Sequence, residues 1–276
     1  MNATLTVAHK EFRDGLRNRW VLAIALILAA LAVGIAWFGA AASGGMGFTS
    51  LATTVVSLST LAVFLIPLIA LLLAYDAVVG EQESGTLLLL LTYPLSRTSL
   101  LLGKFLGHGL ILGAATALGF GIAGVVIAFG ADGVTLGDLV ASLGLLIVSS
   151  ILLGWVFIAF AYLISVWVTE KARAAGLALA LGVWFLFVLV FDLGLLALLV
   201  SVQSGGDWLP WLLLLNPTDG FRLINMVGFE SAQAYTGVTA IAQNSAFHAG
   251  WLMLVLVGWI VAPLGLAILR FRHHSA

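Results

Sequence analysis

The sequence predicts an all-α polytopic membrane protein with six transmembrane helices. Three observations carry that prediction. Hydrophobic residues make up 62% of the 276-residue chain and charged residues only 8%, where soluble domains run at about a quarter charged. The apolar residues come in long unbroken runs, the pattern of spanning helices and not of alternating barrel strands. The few cations sit at the flanks of those runs. A water-soluble globule is excluded, because 11 basic and 12 acidic side chains cannot cover a surface of this size. Disorder is excluded by the excess of apolar surface. A net charge of −1 without a basic stripe argues against nucleic acid as a partner. With no cysteine there is no disulfide framework, thiolate metal site or Cys nucleophile.

The elements follow in chain order. Residues 1–19 form an amphipathic helix: Leu5, Ala8, Phe12 and Leu16 share one face, and Lys10, Arg13, Asp14 and Arg17 take the others. Such a helix lies along the inner membrane surface, as a topology anchor or as a contact for a cytoplasmic partner as well. A helix rises about 1.5 Å per residue, so a hydrocarbon core of about 30 Å needs about 20 apolar residues. Six stretches meet that length: 20–39, 54–79, 104–130, 139–168, 174–201 and 247–270. All belong to one transmembrane domain covering 1–276. The fourth and fifth exceed the need, which predicts tilt or a local break, with Gly154 as a candidate break point. Ala40-Ala41-Ala42 looks like a leader cleavage site. The apolar run before it is about 20 residues, however, against about 7–15 in a leader, so the first span is expected to be retained.

Topology follows from the cations. Lys10, Arg13, Arg17, Arg19, Arg97, Lys104, Lys171, Arg173, Arg270 and Arg272 fall on one side of the membrane, and Arg222 alone falls on the other. Both termini are therefore expected in the cytoplasm of a bacterial inner membrane, with 202–246 as a periplasmic segment.

The cytoplasmic segment 80–103 is the richest in polar signals. Asp76, Glu81 and Glu83 stand at its entrance, five leucines (Leu87 to Leu91) in its middle, and Arg97 and Lys104 at its exit. Consecutive leucines outside a span call for cover by a partner or by the membrane surface. Thr92 is expected to cap a helix that starts at Pro94, giving two short helices suited to docking in a groove.

Gly80, Glu81, Glu83, Gly85, Thr86, Leu87, Leu90, Leu91, Pro94, Ser96 and Arg97, followed by Gly103-Lys104, resemble the signature of the type-2 ABC permease superfamily. Gln82 departs from it, standing where the family carries Arg or Lys and where a charge contact to the ATPase is expected. The resemblance implies that this segment is a coupling helix seated on a separate cytosolic ATPase. On that basis Glu81, Glu83, Gly85, Thr86, Leu87, Leu90, Leu91, Pro94 and Arg97 are the expected ATPase-coupling residues. No G-x-x-x-x-G-K-[ST] occurs in the chain, so ATP and Mg would be bound by the partner and no cofactor by this chain. The implied assembly is two copies of this chain with two ATPase subunits.

The start, His9 to Trp20, and the later Leu215 to Arg222 resemble more narrowly the permeases of nitrous oxide reductase maturation systems. That likeness implies a role in copper-site assembly, a periplasmic β-helical partner, and a cargo that is either a sulfur compound or copper. Scattered His and Met favour a sulfur-containing or small organic cargo, or pure mechanical coupling.

Other polar residues have two readings each. Ser50, Thr53, Thr54, Ser57 and Thr60 make a hydroxyl-bearing face that lines a path between two copies or serves interhelical hydrogen bonds. Asp192, an acid inside the fifth span, is a cargo or proton contact or a structural hydrogen bond. Gly103, Gly107, Gly109 and Gly113 read as close helix packing. Trp208, Trp211, Asn216, Asp219 and Arg222 are expected to meet an outside partner or to form a lid. No H-E-x-x-H, G-x-S-x-G or paired intramembrane carboxylates point to an enzyme. The competing readings are an ATP-driven exporter, possessing a cargo path, and a mechanotransmission subunit without one.

Overall fold

The computed structural model describes residues 3–17, 19–38, 51–130, 135–201, 211, 213–227 and 248–273, with the side chains of 19–22, 52, 130 and 189–201 outside the description. It is all-helical among those residues. In chain order the helices are α1 (Ala3–Arg17), α2 (Arg19–Phe38), α3 (Leu51–Ala74), α4 (Val79–Glu83), α5 (Thr86–Thr92), α6 (Arg97–Gly130), α7 (Leu136–Trp167), α8 (Lys171–Ser201), α9 (Pro217–Val227) and α10 (Ala249–Arg272). A 3₁₀ turn, Leu213–Leu215, precedes α9. Five helices, α3, α6, α7, α8 and α10, are long and apolar enough to cross a membrane, and α2 is a shorter apolar helix over Ala23–Phe38.

The 34 residues of α6 span about 51 Å at the usual rise, well beyond a hydrocarbon core of about 30 Å. The excess calls for tilt or for a helix end outside the apolar layer. Its start is set by Ser96, whose Oγ accepts the Ser99 amide at 3.0 Å. The expected helix start at Pro94 capped by Thr92 is thus corrected. Thr92 instead closes α5, donating from Oγ1 to the Leu89 carbonyl at 2.7 Å. Pro94 lies in the connection, where the lack of an N–H and the restriction on the preceding residue suit an extended turn.

The expected break at Gly154 is also corrected: α7 runs continuously from Leu136 to Trp167. Gly154 serves a close approach. A Cβ there would collide with Leu112 of α6 and lie 3.2 Å from Ile66 of α3. Lipid offers little driving force for apolar side chains to associate, so small residues that let backbones approach are the main source of cohesion. The glycines of α6 follow that logic, as the sequence suggested. Gly103 and Gly107 abut Val7, Ala8 and Glu11 of α1, Gly109 abuts Trp155, and Gly119 abuts Leu28 of α2.

The core lies where α3, α6, α7 and α10 meet, with Phe120, Phe157, Tyr162, Phe221 and Phe271 fully buried. Edge-on ring pairs tie α7 to its neighbours, with Phe105–Trp155 at 5.7 Å and Phe157–Phe185 at 5.2 Å. At that range aromatic pairs contribute about 0.5–1.5 kcal/mol beyond their area.

Candidate functional site

The cations and acids of α1, α4, α6 and α8 collect at one end of the bundle. There the α4–α5 hairpin and its entrance are fastened from α6, α7 and α8. Ser165 of α7 holds its entrance, with Oγ accepting the Val78 and Val79 amides at 3.0 and 3.1 Å. These first-turn donors have no partner within the helix, so a side-chain acceptor satisfies them. Lys171, at the start of α8, pairs with Asp76 at 2.6 Å, and its backbone amide donates to Glu83 at 2.6 Å. Lys104 of α6 pairs with Glu81 at 2.7 Å and with Glu11 of α1 at 3.3 Å. Arg97, at the start of α6, ties that helix to α10, donating to the last-turn carbonyls of Phe271 and Arg272 at 3.3 and 3.4 Å.

The turn between α4 and α5 explains its own residues. Gly85 has φ 72°, a left-handed conformation that side chains disfavour. Thr86 and Ser84 donate to the Glu81 carbonyl and so close α4. The motif Gly80 to Thr86 therefore encodes a hairpin and its internal fastenings.

Burial divides the leucines by helical period. Leu87 is buried, and Leu90 and Leu91, three and four residues on, pack partly on the core. Leu88 and Leu89 point outward at 58% and 65% exposure, joined by Tyr93. Of the residues expected to meet the ATPase, Glu83, Gly85, Thr86 and Pro94 are exposed and Glu81 and Arg97 half-buried, and Glu81, Glu83, Thr86 and Arg97 also carry bonds within the chain. The sequence pointed to Leu88 and Leu89 only as part of the five-leucine run that calls for cover, and it passed over Tyr93. The signal that finds them is the helical period itself: if Leu87, Leu90 and Leu91 face in, Leu88 and Leu89 face out.

Electrostatics hold this end together. Burial pushes the Glu11 carboxyl up, but Lys104 and Lys10 outweigh it and hold the group below the ordinary value of 4.5. Nearby, His108 Nδ1 meets the Tyr162 hydroxyl at 2.7 Å. Among the described residues no group of three His, Cys, Asp or Glu could hold a metal.

The other expected residues scatter. Thr54 is buried in the protomer, while Thr53 and Thr60 face out and Ser57 is intermediate. Thr60 donates to the Val56 carbonyl at 3.0 Å. Ser50 and the side chain of Asp192 lie outside the described residues, as does Trp208. Trp211 is exposed. Asn216 and Asp219 are buried, and Arg222 is half-buried. Asn216 caps α9 through Oδ1, which accepts from the Thr218 amide at 3.0 Å and hydroxyl at 2.6 Å, with Pro217 in the first turn. The 3₁₀ turn before it is pinned by Trp259, whose Nε1 donates to the Leu214 carbonyl at 3.0 Å.

Apolar helices of this length, with a charged hairpin at one end, are those of a multi-pass membrane protein. Residues 5–276 match the family described as ABC-2 family transporter protein, and the chain belongs to that family. It is 59% identical over 274 residues to "Probable ABC transporter permease protein NosY" of Stutzerimonas stutzeri, covering 99% of each chain. It is 57% identical over 274 residues to the protein of the same name from Pseudomonas aeruginosa, covering 99% of this chain and 98% of that one. Permease subunits of ABC transporters are not catalytic; they pair with ATPase subunits that hydrolyse ATP.

Proposed function

We propose that this chain is a six-span permease, with α2 as its first span and the cation-rich end in the cytoplasm. Two copies pair with two ATPase subunits, each seated on an α4–α5 hairpin. The observation that carries this is the outward face of Leu88, Leu89 and Tyr93 on a hairpin held rigidly from behind. A tight apolar face on a fixed support is what a groove-docking helix requires. The resemblance to the NosY permeases supports a role in copper-site assembly of nitrous oxide reductase, through export of a small sulfur-containing species or through a periplasmic β-helical partner. The exposed Thr53 and Thr60 with half-buried Ser57 would line the path between copies, with Ser50 and Asp192 as further candidates. The outer partner would meet Trp211 and Trp208, with Asn216, Asp219 and Arg222 setting α9 beneath it.

The test is recovery of the ATPase with the tagged permease. Leu88→Glu with Leu89→Glu should leave insertion intact and reduce ATPase recovery at least about tenfold, the penalty of placing charges in a desolvated apolar contact. Undiminished recovery would refute the docking face.

A further inference from the structure

Lys104 is 5% exposed and meets two carboxylates from different parts of the chain. Glu81 belongs to the hairpin and Glu11 to the amphipathic helix α1. Lys104 also sits between two notches on α6. A Cβ at Gly103 would lie 2.6 Å from the Val7 Cβ, and one at Gly107 would lie 2.5 Å from the Glu11 Cβ. The backbone of α1 therefore rests directly on α6, with the ammonium group at the seat.

We propose that Lys104 is a positioning residue that joins α1 to the α4–α5 hairpin, so that α1 follows the hairpin when the ATPase moves it. This rests on the permease reading above. A buried ammonium shared by two carboxylates resists separation, because losing either partner leaves a buried charge poorly compensated. The same Glu11 oxygen also meets Lys10 at 3.3 Å, and Lys10 meets Asp14 one turn on at 3.4 Å. Leu5 and Leu16 of α1 are exposed, on the side where lipid would lie. The helix ends at Arg17 and α2 begins at Arg19. A displacement of the hairpin thus reaches the first apolar helix through Lys104 and α1, in parallel with any route through α3.

The experiment uses the full chain purified with its ATPase in nanodiscs and compares native protein with Lys104→Met and Glu11→Gln. Trypsin cleavage at Lys10, Arg13 and Arg17 reports whether α1 is docked. ATP turnover per complex reports coupling. Lys104→Met should speed cleavage of α1 at least about tenfold, as expected when local opening becomes easier. Glu11→Gln, on α1 and outside the hairpin, should change ATP turnover at least about threefold while the ATPase stays bound in native ratio. Protection of α1 in Lys104→Met, or unchanged turnover in Glu11→Gln, overturns the proposal. Should Lys104→Met fail to fold, Glu11→Gln decides by itself. If the ATPase is not recovered even with the native chain, the permease reading fails. Trypsin cleavage of the chain alone then decides whether Lys104 holds α1.

Discussion

Ser165→Ala is the sharpest perturbation of the hairpin's support. The Ser165 hydroxyl is fully buried and accepts two backbone amides, Val78 and Val79. Alanine removes the acceptor and little else, so two donors lose their partner. An orphaned buried donor costs about 1–3 kcal/mol. The hairpin lies at the end of the bundle, where water can enter on modest opening, so the lower end applies and the two together cost about 2 kcal/mol. That corresponds to about a 30-fold increase in the local opening constant. The assay is hydrogen exchange with mass spectrometry on peptides covering 74–86. Exchange at Val78 and Val79 should quicken about 30-fold while amides in the middle of α7 keep their protection. Exchange within about threefold of native would show that Ser165 does not secure the hairpin, and the reasoning from satisfied donors would fall.

Two further outcomes follow from the same geometry. Gly154→Leu should push α6 from α7, because the new side chain meets Leu112 and Ile66 where a Cβ already collides. Overpacking of this kind costs about 1–3 kcal/mol or more and should lower the thermal midpoint in detergent, whereas Gly144→Leu, with open space around its Cβ, should not. The docking of α1 should also depend on acid. Glu11 is depressed below 4.5, so its contribution is present above that value and is lost as pH falls through the lower folded value. It faces Lys10 on its own helix and Lys104 and His108 on α6, with Asp14 beyond Lys10 and Glu81 across Lys104. Because the chain has no cysteine, a fluorophore on Leu5→Cys reports α1 alone. Its anisotropy should hold from neutral pH to about 4.5 and fall below it, and Glu11→Gln should flatten that limb.

Much of the fold was legible because lipid imposes it. Apolar runs long enough to span, with cations at their ends, can form little else when no water is present to satisfy the backbone. The hairpin was legible only in part: two short helices were expected there with the second starting at Pro94, whereas the structure turns at Gly85 between Val79–Glu83 and Thr86–Thr92. Gly85 needs the left-handed turn, and Thr86 and Ser84 supply local hydroxyls to close α4. Thr92 misled, since a hydroxyl before a proline looks like a cap. Ser96, three residues before Ser99, was the better acceptor for a free first-turn amide. Gly154 misled as well, because a lone glycine in a long helix is equally consistent with a break and with a close neighbour.

The sequence by itself determined the class of molecule, its apolar helices, the charge asymmetry of its ends and the hairpin motif. All of these depend on contacts within a few residues or on partition between lipid and water. The tertiary structure alone decided where the charges point. Glu81 and Glu83 look like contacts for a partner, yet one meets Lys104 and the other the Lys171 amide, 23 and 88 residues away. Such pairings depend on which helices pack side by side, and that is settled by close approach at Gly103, Gly107 and Gly154. With both acids bonded within the chain, Leu88, Leu89 and Tyr93 are the large apolar side chains that the hairpin turns outward.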